Sequence, residues 1–194
     1  MTTTTLNPTL LQHVAPGMKA WRIALAMLAG SALLAISAKV QVPFWPVPMT
    51  LQTLAILAIG MAFGSRLGAA TVLLYLAEGF VGLPVFAGAA AGPAYFAGPT
   101  AGYLIGFVAS AWLIGWLAER GWDRSLLRCL IAMAVGHAVV FVFGVSWLAT
   151  LVGVQKALAA GLYPFWAATL VKTLLGVAVM QAAWHLALKR RSQG

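Results

Sequence analysis

Residues 82–107 read GLPVFAGAAAGPAYFAGPTAGYLIGF, a stretch with no charged residue. Proline removes a helical N–H and clashes with the preceding turn, and glycine loses the most conformational freedom on ordering, so the first half of this stretch cannot be one unbroken helix. Strongly apolar runs nevertheless flank it. The chain of 194 residues is 62% hydrophobic and only 8% charged, with a mean hydropathy of +0.95, whereas about 25% of residues are charged in soluble domains. The expectation is an all-α integral membrane protein. Against the roughly 20 residues that a helix needs to cross a bilayer, six candidate transmembrane helices stand at about 20–38, 48–64, 66–80, 100–118, 128–150 and 163–187. The broken stretch lies between the third and fourth of them.

The first run, WRIALAMLAGSALLAISA at 21–38, has the basic flank and apolar centre of a signal peptide. It follows an 18-residue polar lead and precedes five more spans, so it is read as an uncleaved first helix. The expected organisation is a polar N-terminal tail (1–19), a single six-helix domain (20–188) and a basic C-terminal tail (189–194). Cys129 is the one cysteine, which leaves no disulfide within this sequence.

A net charge of +9 suggests nucleic acid in a soluble protein, but its distribution has a simpler cause. Lys19, Arg22, Arg66, Arg120, Arg124, Arg128, Lys189, Arg190 and Arg191 fall in connections on one side of six crossings; only Lys39 and Lys156 fall on the other, and Lys172 lies within the last span. The positive-inside bias then places both termini in the cytoplasm and makes nucleic acid an unneeded partner.

Irregular backbone facing lipid is costly, so a broken, uncharged segment persists where protein buries it or where it lines a cavity. Residues 83–99 are therefore read as a packed lid or re-entrant loop, with Gly88, Gly92 and Gly98 admitting close backbone approach and Phe86, Tyr95 and Phe96 supplying apolar walls. An ordinary apolar loop lying on the bilayer surface is the plainer alternative. VQVPFWPVPMTLQT at 40–53 has the same character: Pro43, Pro46 and Pro48 force an extended lead into the second helix. Thr50 suits its N-cap, and Gln52 is a candidate to face a cavity.

Ionisable groups inside spans are the sharpest signal, because a charge at a helix centre costs roughly 2.5–3.5 kcal/mol on insertion scales. Glu78 stands about 18 Å above Arg66 and Lys172 about 14 Å below Tyr163 at 1.5 Å per residue, so the two share nearly one depth in the outer half of the bilayer. Either they line one polar site, or they pair or snorkel for structural reasons. His137 and His185 have no second ligand at helical spacing and read as satisfied core or interface residues. In the first span Ala20 with Ala24, Ala26 with Gly30 and Ser31 with Ala35 give flat faces, for internal packing or for a partner helix. No P-loop, HExxH, CxxC or GxSxG occurs, so a binding or transport protein is better supported than an enzyme, which would have to use Glu78 or His137 as its base.

VPFWPVPMTLQT (42–53), RLGAATVLLYLAEGFVGLPVFAG (66–88), GPTAGYLIGF (98–107) and YPFWAATLVK (163–172) together resemble, in order and spacing, the BioY family, the substrate-binding S components of biotin transporters of the energy-coupling factor type. The likeness extends over nearly the whole chain from about residue 20. It implies six helices in the plasma membrane, capture of biotin from outside beneath the loop between the third and fourth, and docking on a transmembrane T subunit driven by two ABC-type ATPases. No cofactor is implied. Lys172 matches the family's polar position in the sixth helix. Many relatives have PGD ahead of it, where this chain has Ala167, Ala168 and Thr169, so an acidic contact at 169 is missing and Glu78 is a candidate to replace it.

Biotin offers two ureido N–H donors and a carbonyl, an apolar thioether ring and a carboxylate tail. The expected substrate-binding set is Gln52, Glu78, Tyr95, Thr169 and Lys172, with Glu78 accepting from the ureido N–H groups and Lys172 meeting either the carboxylate or the ureido oxygen. Phe86, Gly88, Gly92 and Gly98 belong to the lid, and Ala26 and Gly30 to a partner-helix face. A component for another vitamin, or a carrier that works without ATPases as an oligomer, remains the second reading.

Overall fold

In the computed structural model, which describes residues 7–88 and 90–191, the last two by backbone alone, each apolar run is helical over most of its length. A five-residue helix α1 (Leu10–Val14) precedes α2 (Ala20–Lys39), α3 (Gln52–Phe63), α4 (Ser65–Phe80), α5 (Ala101–Ala118), α6 (Leu126–Val152), α7 (Val154–Gly161) and α8 (Trp166–Arg191). Helices α2, α5 and α6, and the stretch 154–189 that includes α8, are long and apolar enough to cross a membrane. Helix α3 has 12 residues and α4 has 16.

Helix α3 begins later than the apolar run does, and the prolines explain it. Residues 43–48 link two short antiparallel strands, β1 (Gln41–Val42) and β2 (Met49–Thr50), paired Gln41 with Thr50 and Val42 with Met49. Extended backbone consumes the start of the run, and helix sets in only after Leu51, its N-cap. Thr50 is thus a strand residue rather than the cap, although its hydroxyl accepts the Gln52 N–H at 3.3 Å. At the other end Gly64 takes φ +88°, closing α3 and opening α4 in one residue.

Helix α5 is the centre of the bundle, packed by α3, α4 and α6. Its glycines set the spacing: a Cβ at Gly115 would stand 2.3 Å from the backbone carbon of Gly64. Leu34, Ile56, Val72, Tyr75, Tyr103, Phe107 and Val140 form the apolar core towards the β1–β2 end; Leu57, Met61, Ile114, Cys129, Met133 and Trp184 form a second core towards the other.

Two expected tails and one expected loop differ. Residues 7–14 pack onto the bundle: Thr9 and Gln12 form a reciprocal cap of α1, the Asn7 N–H donates to Glu119 O at 2.8 Å, and Arg124 donates to Pro8 O at 3.0 Å. Polar termini with a capping signal had no membrane role to betray them. At the far end the basic tail continues α8 to Arg191; residues 1–6 and 192–194 lie outside the described residues. The link between the fifth and sixth expected spans, read from the sequence as a connection at about 151–162, contains α7, whose Ala157 and Gly161 are buried. Between α5 and α6 the buried Asp123 accepts the Trp184 Nε1–H at 2.7 Å, and burial pushes its carboxyl above the ordinary value.

Candidate functional site

The extended lead into α3, the first turns of α5 and α8, and the broken segment converge on one small cavity. Val47, Pro48, Thr50, Gln52 and Thr53 form one side, Tyr103, Leu104, Phe107, Val140, Phe141 and Phe165 the apolar wall, and Ala87 and Tyr95 come from the broken segment, with Lys172 at the polar edge. Its volume is about 50 Å³, enough for a few waters.

Lys172 is 6% exposed, and its ammonium donates to Thr53 Oγ1 at 2.8 Å and Thr50 O at 3.3 Å. An ammonium has three donors, so among the described residues one is unclaimed beside the cavity. One acceptor is the carbonyl of Thr50 in the extended lead and the other the hydroxyl of Thr53 in the first turn of α3. Gln52, also buried, donates through Nε2 to Tyr75 Oη at 2.7 Å, and Tyr75 donates onward to Val85 O at 3.0 Å. A polar chain thus runs from the cavity floor to the broken segment.

That segment is held by side chains on three helices. Phe86 is buried against Gly79, where a Cβ would meet its ring at 2.1 Å, and it stacks on Tyr95 with centroids 4.6 Å apart. The Trp147 indole donates to Gly98 O at 3.0 Å. Lys39, at the end of α2, donates to Pro84 O, Phe86 O and Gly88 O at 2.6, 2.8 and 2.6 Å. All three ammonium donors are spent on loop carbonyls that have no helix to bond within. Gly88 and Gly92 take φ +67° and +86°, which glycine adopts without strain, and the Gly92 N–H donates to Gly79 O at 2.7 Å.

Of the expected contacts, the structure brings together Gln52, Tyr95 and Lys172 and leaves two out. Glu78 is not on the cavity wall, and it accepts from Ser31 Oγ of α2. Thr169, one turn before Lys172, does not border the cavity either, and its Oγ1 is buried without a partner among the described residues. Gly30, expected on a partner face, is buried inside the chain, where a Cβ would stand 2.7 Å from Thr71 Cγ2; Ala26 is half-buried. His137 is a core residue, its Nδ1 within 3.0 Å of Met133 O and 3.1 Å of Thr173 Oγ1. Sequence reading missed Lys39 and Tyr75. The signal for Lys39 was available: it is a cation on the sparse side of the charge asymmetry, just after a span, in a chain with uncapped loop carbonyls nearby.

The Lys39 arrangement gives an expected result. In Lys39→Met, with a cysteine placed at the cavity-lining Ala87 and Cys129 replaced by alanine, a maleimide should react several-fold faster than in the same background with Lys39 intact. Equal rates would mean that the aromatic and glycine contacts hold the segment without the ammonium.

The family model described as BioY family matches residues 9–189. A probable biotin transporter BioY of Pyrococcus horikoshii is 35% identical over 164 residues, which cover 84% of this chain and 96% of the relative. Biotin transporter BioY2 of Lactococcus lactis is 35% identical, covering 80% of this chain and 88% of the relative. A crystal structure of the S component for biotin from an ECF-type ABC transporter superposes with a TM-score of 0.73 at 25% identity, covering 92% of this chain and 96% of that one.

Proposed function

Because the chain belongs to the BioY family, we propose that it is the biotin-binding subunit of a vitamin uptake transporter, taking biotin from outside the cell and delivering it inward with an ATP-driven energising module. The observation that carries this reading to particular residues is the buried Lys172 ammonium, with one donor unclaimed among the described residues, at the edge of a largely apolar cavity. Its charge suits the carboxylate or the ureido oxygen of biotin, the Gln52 amide and Tyr95 suit the remaining ureido groups, and Phe107, Phe141 and Phe165 suit the thioether ring. The broken segment is the lid. A cavity of about 50 Å³ admits a bicyclic ligand only when that lid moves outward, so Lys39 and Phe86 are the contacts that binding must disturb.

The proposed topology has six crossings of the plasma membrane, the short α3 and α4 included, with both termini cytoplasmic and the lid outside. Nine cations on one side against two on the other support it. The T subunit and ABC-type ATPases follow from the family, and the exposed apolar face of α2, with Leu25, Leu28 and Ile36, is available to such a partner.

Radiolabelled biotin should bind the purified protein in detergent at submicromolar concentration and be displaced by unlabelled biotin but not by an unrelated vitamin. Absence of binding at micromolar concentration would sink the assignment. Uptake into vesicles holding this chain without ATPases would favour the solitary carrier over the energised one.

A further inference from the structure

Beside the cavity, with which it shares Leu104, an open groove of about 700 Å³ is lined by Leu73 and Leu76 of α4, by residues of α5 from Leu104 to Leu113, by Val139 of α6 and, at its upper end, by Phe96 of the broken segment, with almost no polar surface. At Trp112 it meets a second recess of about 730 Å³, lined by Asn7, Gln12, Ser65, Arg66, Trp116, Glu119 and Arg120. Trp112 borders both. From the sequence-based topology the first lies within the membrane and the second at its cytoplasmic surface.

The two parts differ in chemistry as a lipid does. At 1.5 Å per residue Leu113 stands about 8 Å and Leu104 about 21 Å from the α5 end at Ala118, so with that end at the cytoplasmic surface the groove runs from the cytoplasmic half to just past the midplane of a hydrocarbon core about 30 Å thick. The basic end has cations to spare. The one carboxylate there, Glu119, is engaged through Oε1 by the Ser65 N–H and Oγ, both at 2.8 Å. Arg120 lies 3.5 Å over the Trp116 ring and donates through one nitrogen to Trp116 O, which fixes the guanidinium and leaves its other donors for an anion. Arg66 is exposed at the start of α4 on the same recess.

We infer that this composite groove binds one anionic phospholipid of the cytoplasmic leaflet, an acyl chain along α5 and the phosphate between Arg66 and Arg120. Basic recesses at the cytoplasmic mouth of interhelical grooves favour anionic headgroups by about fivefold per arginine. The docked segment 7–12 completes the recess, which gives the N-terminal chain a role at the membrane surface.

The test compares purified protein in detergent with added phosphatidylglycerol or phosphatidylcholine, reading the melting temperature and, by native mass spectrometry, the lipid retained. Phosphatidylglycerol should raise the melting temperature by several degrees more than phosphatidylcholine, with one molecule retained. Arg66→Gln with Arg120→Gln should weaken that retention about 25-fold, and Ala109→Trp, which fills the apolar arm, should abolish it with the arginines intact. Equal response to the two lipids, or a preference that survives the arginine changes, would overturn the inference. So would the same stabilisation by inorganic phosphate alone, or a photo-crosslink from position 112 to the transmembrane partner instead of lipid in the assembled complex. Biotin affinity of the arginine variant should equal that of the unaltered protein, so a failed biotin assignment leaves this test readable.

Discussion

Gly115→Ala is expected to lower the stability of the bundle by about 3 kcal/mol or more, and Gly115→Leu to prevent recovery of folded protein. Overpacking a close-packed interior costs typically 1–3 kcal/mol when side chains can yield, and here none is available to yield. A Cβ at position 115 would lie 2.3 Å from the backbone carbon of Gly64 and 2.3 Å from Ser65 N. Those atoms belong to the single-residue junction between α3 and α4, at a φ of +88°, which has no second conformation at hand. Gly176→Ala is the control. Its Cβ would meet only Leu54 Cδ1 at 3.2 Å and the end of Met133 at 3.3 Å, so the gain of up to about 1 kcal/mol from replacing glycine inside a helix should offset most of the crowding. Thermal unfolding in detergent distinguishes them, and similar melting temperatures for the two alanine variants would show that α5 can move off the junction.

Helix positions were legible because the apolar period and the proline and glycine breaks act locally. The expected run at 20–38 is α2, and that at 100–118 is α5 to within a residue. The lead at 40–53 was also readable, since three prolines exclude helix whatever the surroundings. Less legible were features that depend on what two helices bring together. Counting residues from a span's end gives height in the membrane but not direction around the helix axis, which is why Glu78 and Lys172 looked like neighbours. Lys39 counted only as a charge on the sparse side, although its place at the end of a span in a chain with a broken, uncapped segment was a signal; which carbonyls it meets depends on how two distant segments come together. Helix α7 was invisible for another reason: eight residues rich in alanine, between Gly153 and the Tyr163–Phe165 turn, have neither the length of a span nor the breaks of a loop. The cavity's polar edge came through in outline, with Gln52 and Lys172 marked by being polar groups in apolar surroundings.

Lys172→Met should weaken biotin binding by more than tenfold, because the ligand loses a charge-assisted hydrogen bond in a desolvated site, worth roughly 1.5–3 kcal/mol. Thr50 O and Thr53 Oγ1 lose a donor at the same time, yet both belong to the first turn of α3 and its lead, so stability should fall modestly. Glu78→Gln should behave differently. Its oxygen can still accept from Ser31 Oγ, and it does not border the cavity, so biotin affinity should stay within about twofold. If the two residues were a buried ion pair, each single change would strand a charge at about 3–5 kcal/mol and the double variant would recover much of it. Separate hydrogen-bond partners imply instead that the effects add, to within about 0.5 kcal/mol. Melting temperature and biotin affinity measured for the two single variants and the double form the cycle. A double variant more stable than either single one would restore the ion pair, and a Glu78→Gln loss as large as that of Lys172→Met would return Glu78 to the ligand.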